Sequence, residues 1–256
     1  MKIVLFSDVH SNLPALEAFF QDLENRDFDA IFCLGDLVGY NIWPNEVVEE
    51  IRKRRIPTVA GNYDFGIGRS SNDCGCAYKT EEEKANGAVS ISVTNNLMKE
   101  ENRQYLRTLP AHIKVEFQLN DDQLNLLLVH GSPRKINEYL FEDREEKSLL
   151  RIMEKAGADI MCFGHTHKPY HRTLGSGDEN SYYRHAINIG SIGKPKDNDT
   201  RGCYVILGID ENSLVLDKNS ISVEFVRFDY DIEKAAKAVE DSELPNAYAE
   251  NLRSGS

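Results

Sequence analysis

A chain of 256 residues can bury a large apolar core without disulfide staples, and 41% hydrophobic with 28% charged residues is ordinary for a globular protein. A formal net charge of -12 excludes general affinity for nucleic-acid backbone, which needs a basic surface. No apolar run reaches the ~18 residues of a membrane span, and the opening Met-Lys-Ile-Val-Leu-Phe-Ser-Asp lacks the apolar region and cleavage site of a secretory leader. The five cysteines have no disulfide rhythm. The expectation is a reduced, cytoplasmic protein, one domain over residues 1–256 with a helix and tail from about 231.

Residues 2–7 are a short apolar run, expected as a central strand, with Asp8-Val9-His10 at its end. Asn12 is placed to cap a helix with Pro14 in its first turn. Leu16, Phe19, Phe20 and Leu23 repeat at i, i+3, i+4, i+7, so one helix face packs on a core. Residues 30–34 are a second strand, ending in Gly35-Asp36. Pro44 opens a second helix with Val47, Val48 and Ile51 inward and basic residues 52–55 at its negative pole. Residues 57–60 are a third short strand, ending in Gly61-Asn62-Tyr63-Asp64. Strand, polar loop and helix thus alternate as in βαβ units, which gather their loops on one edge of a parallel sheet.

Residues 65–78 are rich in Gly and Ser and are expected as a long loop. Their Cys74-Gly75-Cys76 lacks a second cysteine pair, so a structural or lid role is expected over metal binding. Thr80 and Glu83 form a capping box before a helix to about residue 98, and a shorter helix over 101–108 stops at Pro110. Residues 113–119 and 123–129 flank Asn120-Asp121-Asp122 as a hairpin, and the second strand ends in His130. A helix over 144–156 leads to the buried strand 160–163, which ends in Gly164-His165-Thr166-His167. Further strands are expected over 171–174, 184–189, 203–209, 214–216 and 221–228, with a turn over 175–180 and a charged loop over 194–201. A helix over 232–240 precedes a tail expected to be mobile.

Collected by position, the strand ends carry Asp8, His10, Asp36, Asn62, His130, His165 and His167. Imidazole with carboxylate suits first-row transition metals such as Mn, Fe, Zn, Co or Ni rather than Ca or Mg alone. Seven ligands are too many for one ion and suit two if one residue bridges. A carboxylate can bridge through two lone-pair-rich oxygens, and Asp36, on the middle of the first three strands, is the natural candidate.

This set resembles the calcineurin-like metallophosphoesterase superfamily. The matches are Asp8-Val9-His10, Gly35-Asp36, Gly61-Asn62-Tyr63-Asp64, His130 and Gly164-His165-Thr166-His167, in the family's order. The chain is most similar to the small stand-alone prokaryotic phosphodiesterases of that superfamily. The resemblance implies an α/β fold, an αββα sandwich of two mixed sheets flanked by helices. It implies that Asp8, His10 and His167 hold one divalent or trivalent ion, that Asn62, His130 and His165 hold the other, and that Asp36 bridges. Asp36, Asn62, Tyr63 and His165 are the residues it places in catalysis. Two ions about 3.5–4 Å apart activate a bridging hydroxide that attacks phosphorus in line with the leaving group. The expected partner is a small phosphorylated substrate, a phosphodiester or nucleotide.

One position departs from the pattern. Many relatives carry His after the Gly-Asn of the third motif, where this chain has Tyr63. A phenol with a reference pKa of about 10 is protonated at neutral pH and still donates a hydrogen bond, but its reach differs, so substrates with good leaving groups are expected. Asp64 is read as structural. His112 and His171 are read as surface residues, and His185 as a satisfied structural histidine. Lys196 and Arg201 are read as a solvated charged loop as readily as phosphate contacts. Tyr40 and Trp43 are read as packing. Competing readings are a phosphomonoesterase, a non-catalytic scaffold, which lost ligands would favour and which the full set here does not, and an amidohydrolase, whose His-x-His follows the first strand rather than coming last.

Overall fold

Unbroken apolar runs in the short strands demand two covered faces for each sheet, and two sheets with helices outside them meet that demand. The computed structural model describes residues 1–175 and 182–256. Strands β1 (Lys2–Phe6), β2 (Ala30–Cys33), β8 (Gly202–Ile209) and β9 (Ile221–Phe228) make one sheet in the order β2-β1-β8-β9. Strands β3 (His112–Gln118), β4 (Gln123–Val129), β5 (Ile160–Phe163), β6 (Tyr170–Leu174) and β7 (Arg184–Asn188) make the other in the order β3-β4-β5-β7-β6. Both are mixed. β1 pairs with β2 in parallel and with β8 antiparallel, whereas β5 is parallel to both β4 and β7.

Every second residue of the strands points between the sheets. Ile3 and Leu5, Leu126 and Leu128, Ile160 and Cys162, and Val205 and Leu207 form that shared interior. The intervening residues face outward and are covered by helices. Val4 and Phe6 lie under α1 (Leu13–Leu23), where Leu16 and Phe19 are buried, and α7 (Ile232–Glu240) belongs to the same cluster. Met161 and Phe163 lie under α6 (Glu146–Ala156) through Leu149, Ile152 and Met153. Each such buried side chain contributes roughly 1.5–3 kcal/mol. The result is the expected αββα sandwich.

Several boundaries differ from expectation. Residues 57–60 are not a strand; only Thr58 bridges Cys33 in parallel, because the chain turns at once into a helix. That helix, α3 (Asn62–Gly68), takes residues expected as a loop. Asp64 secures its start by accepting from the Gly61 N–H at 2.9 Å. Residues 214–216 form turns rather than a strand, with the Val215 N–H held by Asp122 at 3.0 Å. The expected tail is instead helix α8 (Ala247–Ser254), which buries Tyr248, Ala249 and Leu252. The turn expected over 175–180 lies, beyond Gly175, outside the described residues. The remaining helices are α2 (Pro44–Lys53), α4 (Glu81–Leu97) and α5 (Glu100–Thr108). No helix among the described residues is long and apolar enough to cross a membrane.

Candidate metal centre

Parallel strands release their loops on one edge, and this edge carries the ligand-type residues of both sheets. Asp8 and His10 follow β1, Asp36 follows β2, and Asn62 opens α3. His130 follows β4, while His165 and His167 follow β5. The structure brings all seven to one cleft. His167 Nε2 lies 3.2 Å from His10 Nε2 and 3.2 Å from Asp8 Oδ1. His130 Nε2 lies 3.2 Å from both His165 Nδ1 and Asn62 Oδ1. Asp36 Oδ2 sits between the two groups, 3.6 Å from His10 Nε2 and 3.3 Å from His130 Nε2. Asp8, His10 and His167 form one set, and Asp36, His130 and His165 a second, with the ligand atoms of each within 4.8 Å of one another.

The backbone is bent to make this possible. Asp8, His10, Asp36, His165 and His167 all have positive φ, between 48° and 66°. For residues with a Cβ each such conformation costs about 1–3 kcal/mol, so the surroundings must impose it. Hydrogen bonds do so: Asp8 N–H donates to Gly35 O, and His10 N–H to Asp36 O, at 2.9 and 3.0 Å. Asn188 donates to Gly164 O at 2.8 Å and to Thr166 Oγ1 at 2.9 Å, fixing the last ligand loop. Gly164 must lack a side chain, because a Cβ there would come within 2.4 Å of Asp8 Oδ2 and Ser7 Oγ.

Three imidazoles are oriented alike. His10, His130 and His167 each turn Nδ1 to a backbone carbonyl, of Val38, Leu34 and Lys194 respectively. Nδ1 therefore carries a proton and Nε2 is aimed into the cleft, the arrangement that orients metal-binding histidines. Asn62 is held by the cysteine loop. Its Nδ2 donates to Cys74 O at 2.8 Å and to Cys76 Sγ at 3.4 Å, which leaves Oδ1 facing His130. Asp64 is structural, accepting from Leu37 and Gly61 N–H, both at 2.9 Å.

Converging lone pairs repel unless a cation lies among them, and this is the test the residues pass. Asp8 Oδ1 is buried with no hydrogen-bond partner, although two imidazole nitrogens face it. Burial pushes His10 and His165 down to about 3 and His167 well below its usual value, so these rings are neutral, the form in which imidazole can bind a metal. His130 moves the other way, up to about 10. Burial opposes its charge, but the carboxylates of Asp36 and Asp8 outweigh that. A metal cation satisfies the same carboxylates and takes the place of that proton. The donor set, imidazole with carboxylate and one amide, fits transition-metal ions.

Beyond the ligands, Tyr40, Tyr63, Cys76, Tyr139 and Lys196 line the cleft. Tyr63 is almost wholly buried, edge-on to His10 at a centroid distance of 5.6 Å, and its Oη has no hydrogen-bond partner. Tyr139 lies 4.1 Å from the His165 ring; no periodicity or motif marked it. Cys76 was read as part of a loop with a structural or lid role, and Lys196 as a solvated charge as readily as a phosphate contact. Arg201 does not reach the cleft and pairs with Asp199 at 2.7 Å. His171 is half-buried rather than a surface residue, and bonds His185 at 3.0 Å away from the centre. Asn12 caps α1 as expected and also donates to Gly193 O at 2.8 Å.

A two-sheet sandwich with His and Asp donors converging from the strand ends of both sheets is the architecture of a metallohydrolase. A family model described as the calcineurin-like phosphoesterase superfamily domain matches residues 1–212, and the chain belongs to that family. An uncharacterised protein of Methanocaldococcus jannaschii is 34% identical over 98% of this chain and 96% of its own length. A crystal structure of a metallophosphoesterase from Sphaerobacter thermophilus is 28% identical, with both chains fully covered and a TM-score of 0.74. A hypothetical protein of Pyrococcus horikoshii shares the fold at a TM-score of 0.77 and 19% identity, over 100% of this chain and 98% of its own.

Proposed function

We propose that this phosphoesterase hydrolyses a small phosphodiester or nucleotide at a centre holding two transition-metal ions, drawn from Mn, Fe, Zn, Co or Ni. The observation that carries the reading is the Asp36 carboxylate, one oxygen of which faces an imidazole from each ligand set. Asp8, His10 and His167 would hold one ion, Asn62, His130 and His165 the other, and Asp36 both. Bound there, the ions supply the water activation and charge neutralisation that phosphoester hydrolysis needs.

The chain's own residues do the rest. Asn62, neutral, adds a ligand oxygen without lowering the positive potential that attracts phosphate. His165 Nδ1 faces the centre, and the Tyr139 ring beside it limits its rotation. Tyr63 stays protonated, since burial pushes its phenol well above its usual value, and its unpartnered Oη is available to donate to a phosphate or leaving-group oxygen. Substrates with good leaving groups suit a donor this weakly acidic. Residues 1–256 are read as one domain, and five free cysteines are consistent with a reduced, cytoplasmic setting.

Turnover of aryl phosphodiesters, phosphomonoesters and dinucleoside polyphosphates by manganese-loaded protein, with metal analysis of the same sample, tests the reading. Absence of turnover with every divalent ion tried sinks it, and a preference for monoesters moves the assignment to a phosphatase.

A further inference from the structure

Lys196 is the one lysine or arginine among the described residues lining the cleft. Its position is built rather than incidental. The segment leading to it is tied to the first ligand loop: Ser191 Oγ donates to Asp8 O at 2.8 Å, and Gly193 N–H donates to the same oxygen at 3.1 Å. Lys194 O accepts from His167 Nδ1, so the chain that ends in Lys196 also orients a ligand imidazole. On the far side, Asn198 N–H donates to Gly255 O at 2.9 Å, at the end of α8.

The charges of this loop are sorted. Asp197 pairs with Arg227, and Asp199 pairs with Arg201 and Arg227. Both acidic neighbours are thereby neutralised by arginines outside the cleft. Lys194 is buried over the rings of Tyr40 and Tyr248, with Nζ 5.0 and 5.8 Å from their centroids. Lys196 has no carboxylate ion-pair partner among the described residues, and the other cleft-lining groups beyond the ligand set are phenols and a thiol. A half-buried ammonium without a counter-ion, lining the same cleft as the candidate metal ligands, lacks an anion.

We infer that Lys196 is a substrate-binding residue whose Nζ donates to a non-bridging phosphoryl oxygen. It supplies the fixed cation that Tyr63 does not. The inference rests on the phosphoesterase reading for the identity of the anion, a phosphate ester or anhydride.

The experiment compares native protein with Lys196→Met, Lys196→Gln and Lys196→Arg, each loaded with manganese. Calorimetric titration with inorganic phosphate is run beside metal analysis and steady-state kinetics on an aryl phosphodiester. The Met and Gln variants are expected to keep the native manganese content and to bind phosphate roughly 10- to 100-fold more weakly, with the loss in KM exceeding that in kcat. The Arg variant, which keeps the charge and the donors, recovers most of the affinity. Native phosphate affinity in the Met and Gln variants overturns the inference, as does loss of metal from them, which would make the residue structural. Failure of native protein to bind phosphate overturns it too. If native protein binds phosphate but turns over no ester, the proposed function fails, while the binding ratio still decides the role of Lys196.

Discussion

Asp36 Oδ2 lies 3.3 Å from His130 Nε2, a carboxylate and an imidazole delivered from different sheets and meeting where the two sheets open. The same oxygen is 3.6 Å from His10 Nε2, so one atom touches both ligand sets. Asp36 Oδ1 is already engaged, accepting from Tyr63 N–H at 2.9 Å. Asp36→Asn preserves that bond and the side chain's shape while removing the shared negative oxygen. It is expected to lower turnover at least about a hundredfold and to reduce bound metal, with little change in melting temperature. Metal analysis and thermal melting of one preparation check this; a variant with native metal content and native turnover would remove Asp36 from the centre.

Gly164→Ala probes the same centre through space rather than charge. Its Cβ would fall 2.4 Å from both Asp8 Oδ2 and Ser7 Oγ, backed by the buried end of β1. Neither neighbour can move freely, because Ser7 Oγ donates to Asp8 Oδ2 at 2.5 Å and His165 N–H donates to the same oxygen at 3.1 Å. Asp8 is therefore expected to shift away from His10 and His167, which weakens the metal binding proposed for that set. A drop in metal stoichiometry that exceeds the drop in secondary structure is the expected result, read by metal analysis and circular dichroism.

Asp64 sits in the recognition motif yet acts on the fold. Its two oxygens accept from Leu37 and Gly61 N–H, joining the second ligand loop to the start of α3. Asp64→Ala leaves both donors buried and unpaired. At about 1–3 kcal/mol per orphaned group, a loss on the order of 2–6 kcal/mol in unfolding free energy is expected. Denaturant titration measures it, and a loss well under 1 kcal/mol would mean water or another acceptor replaces the carboxylate.

The seven candidate residues of the centre were legible because most of them cluster where an apolar run gives way to a polar loop. Asp8, Asp36, His130 and His165 mark strand ends without any knowledge of how the strands pair. The pairing itself was hidden. Nothing local says that β8, some 200 residues on, lies antiparallel beside β1. Helix α3 was not expected at all, because Gly66 and Gly68 are poor helix formers, and its stability comes from Asp64 and from packing on α5. Lys196 stood open between a phosphate contact and a solvated loop, because Asp197 and Asp199 lie beside it in the sequence. Their true partners, Arg227 and Arg201, could only be assigned in three dimensions. Tyr139 lies on an irregular segment where no periodicity applies.

A pH effect on stability follows from a pair of histidines outside the centre. His185 on β7 is 4% exposed and bonds His171 on the neighbouring β6 at 3.0 Å. Burial, with His171 beside it, pushes His185 down from 6.5 to about 4. Between those values the unfolded chain binds a proton that the folded chain refuses, so stability falls as pH drops through 6.5 toward about 4. From about pH 7 to about pH 5 this one group accounts for on the order of 2 kcal/mol. His185→Gln removes the titration and keeps a hydrogen-bonding side chain. In chelator, where the cleft histidines titrate alike in both proteins, the variant is expected to lose less stability over this range than the native chain. Parallel curves of unfolding free energy against pH would show that His185 takes up its proton in the fold as readily as in the unfolded chain.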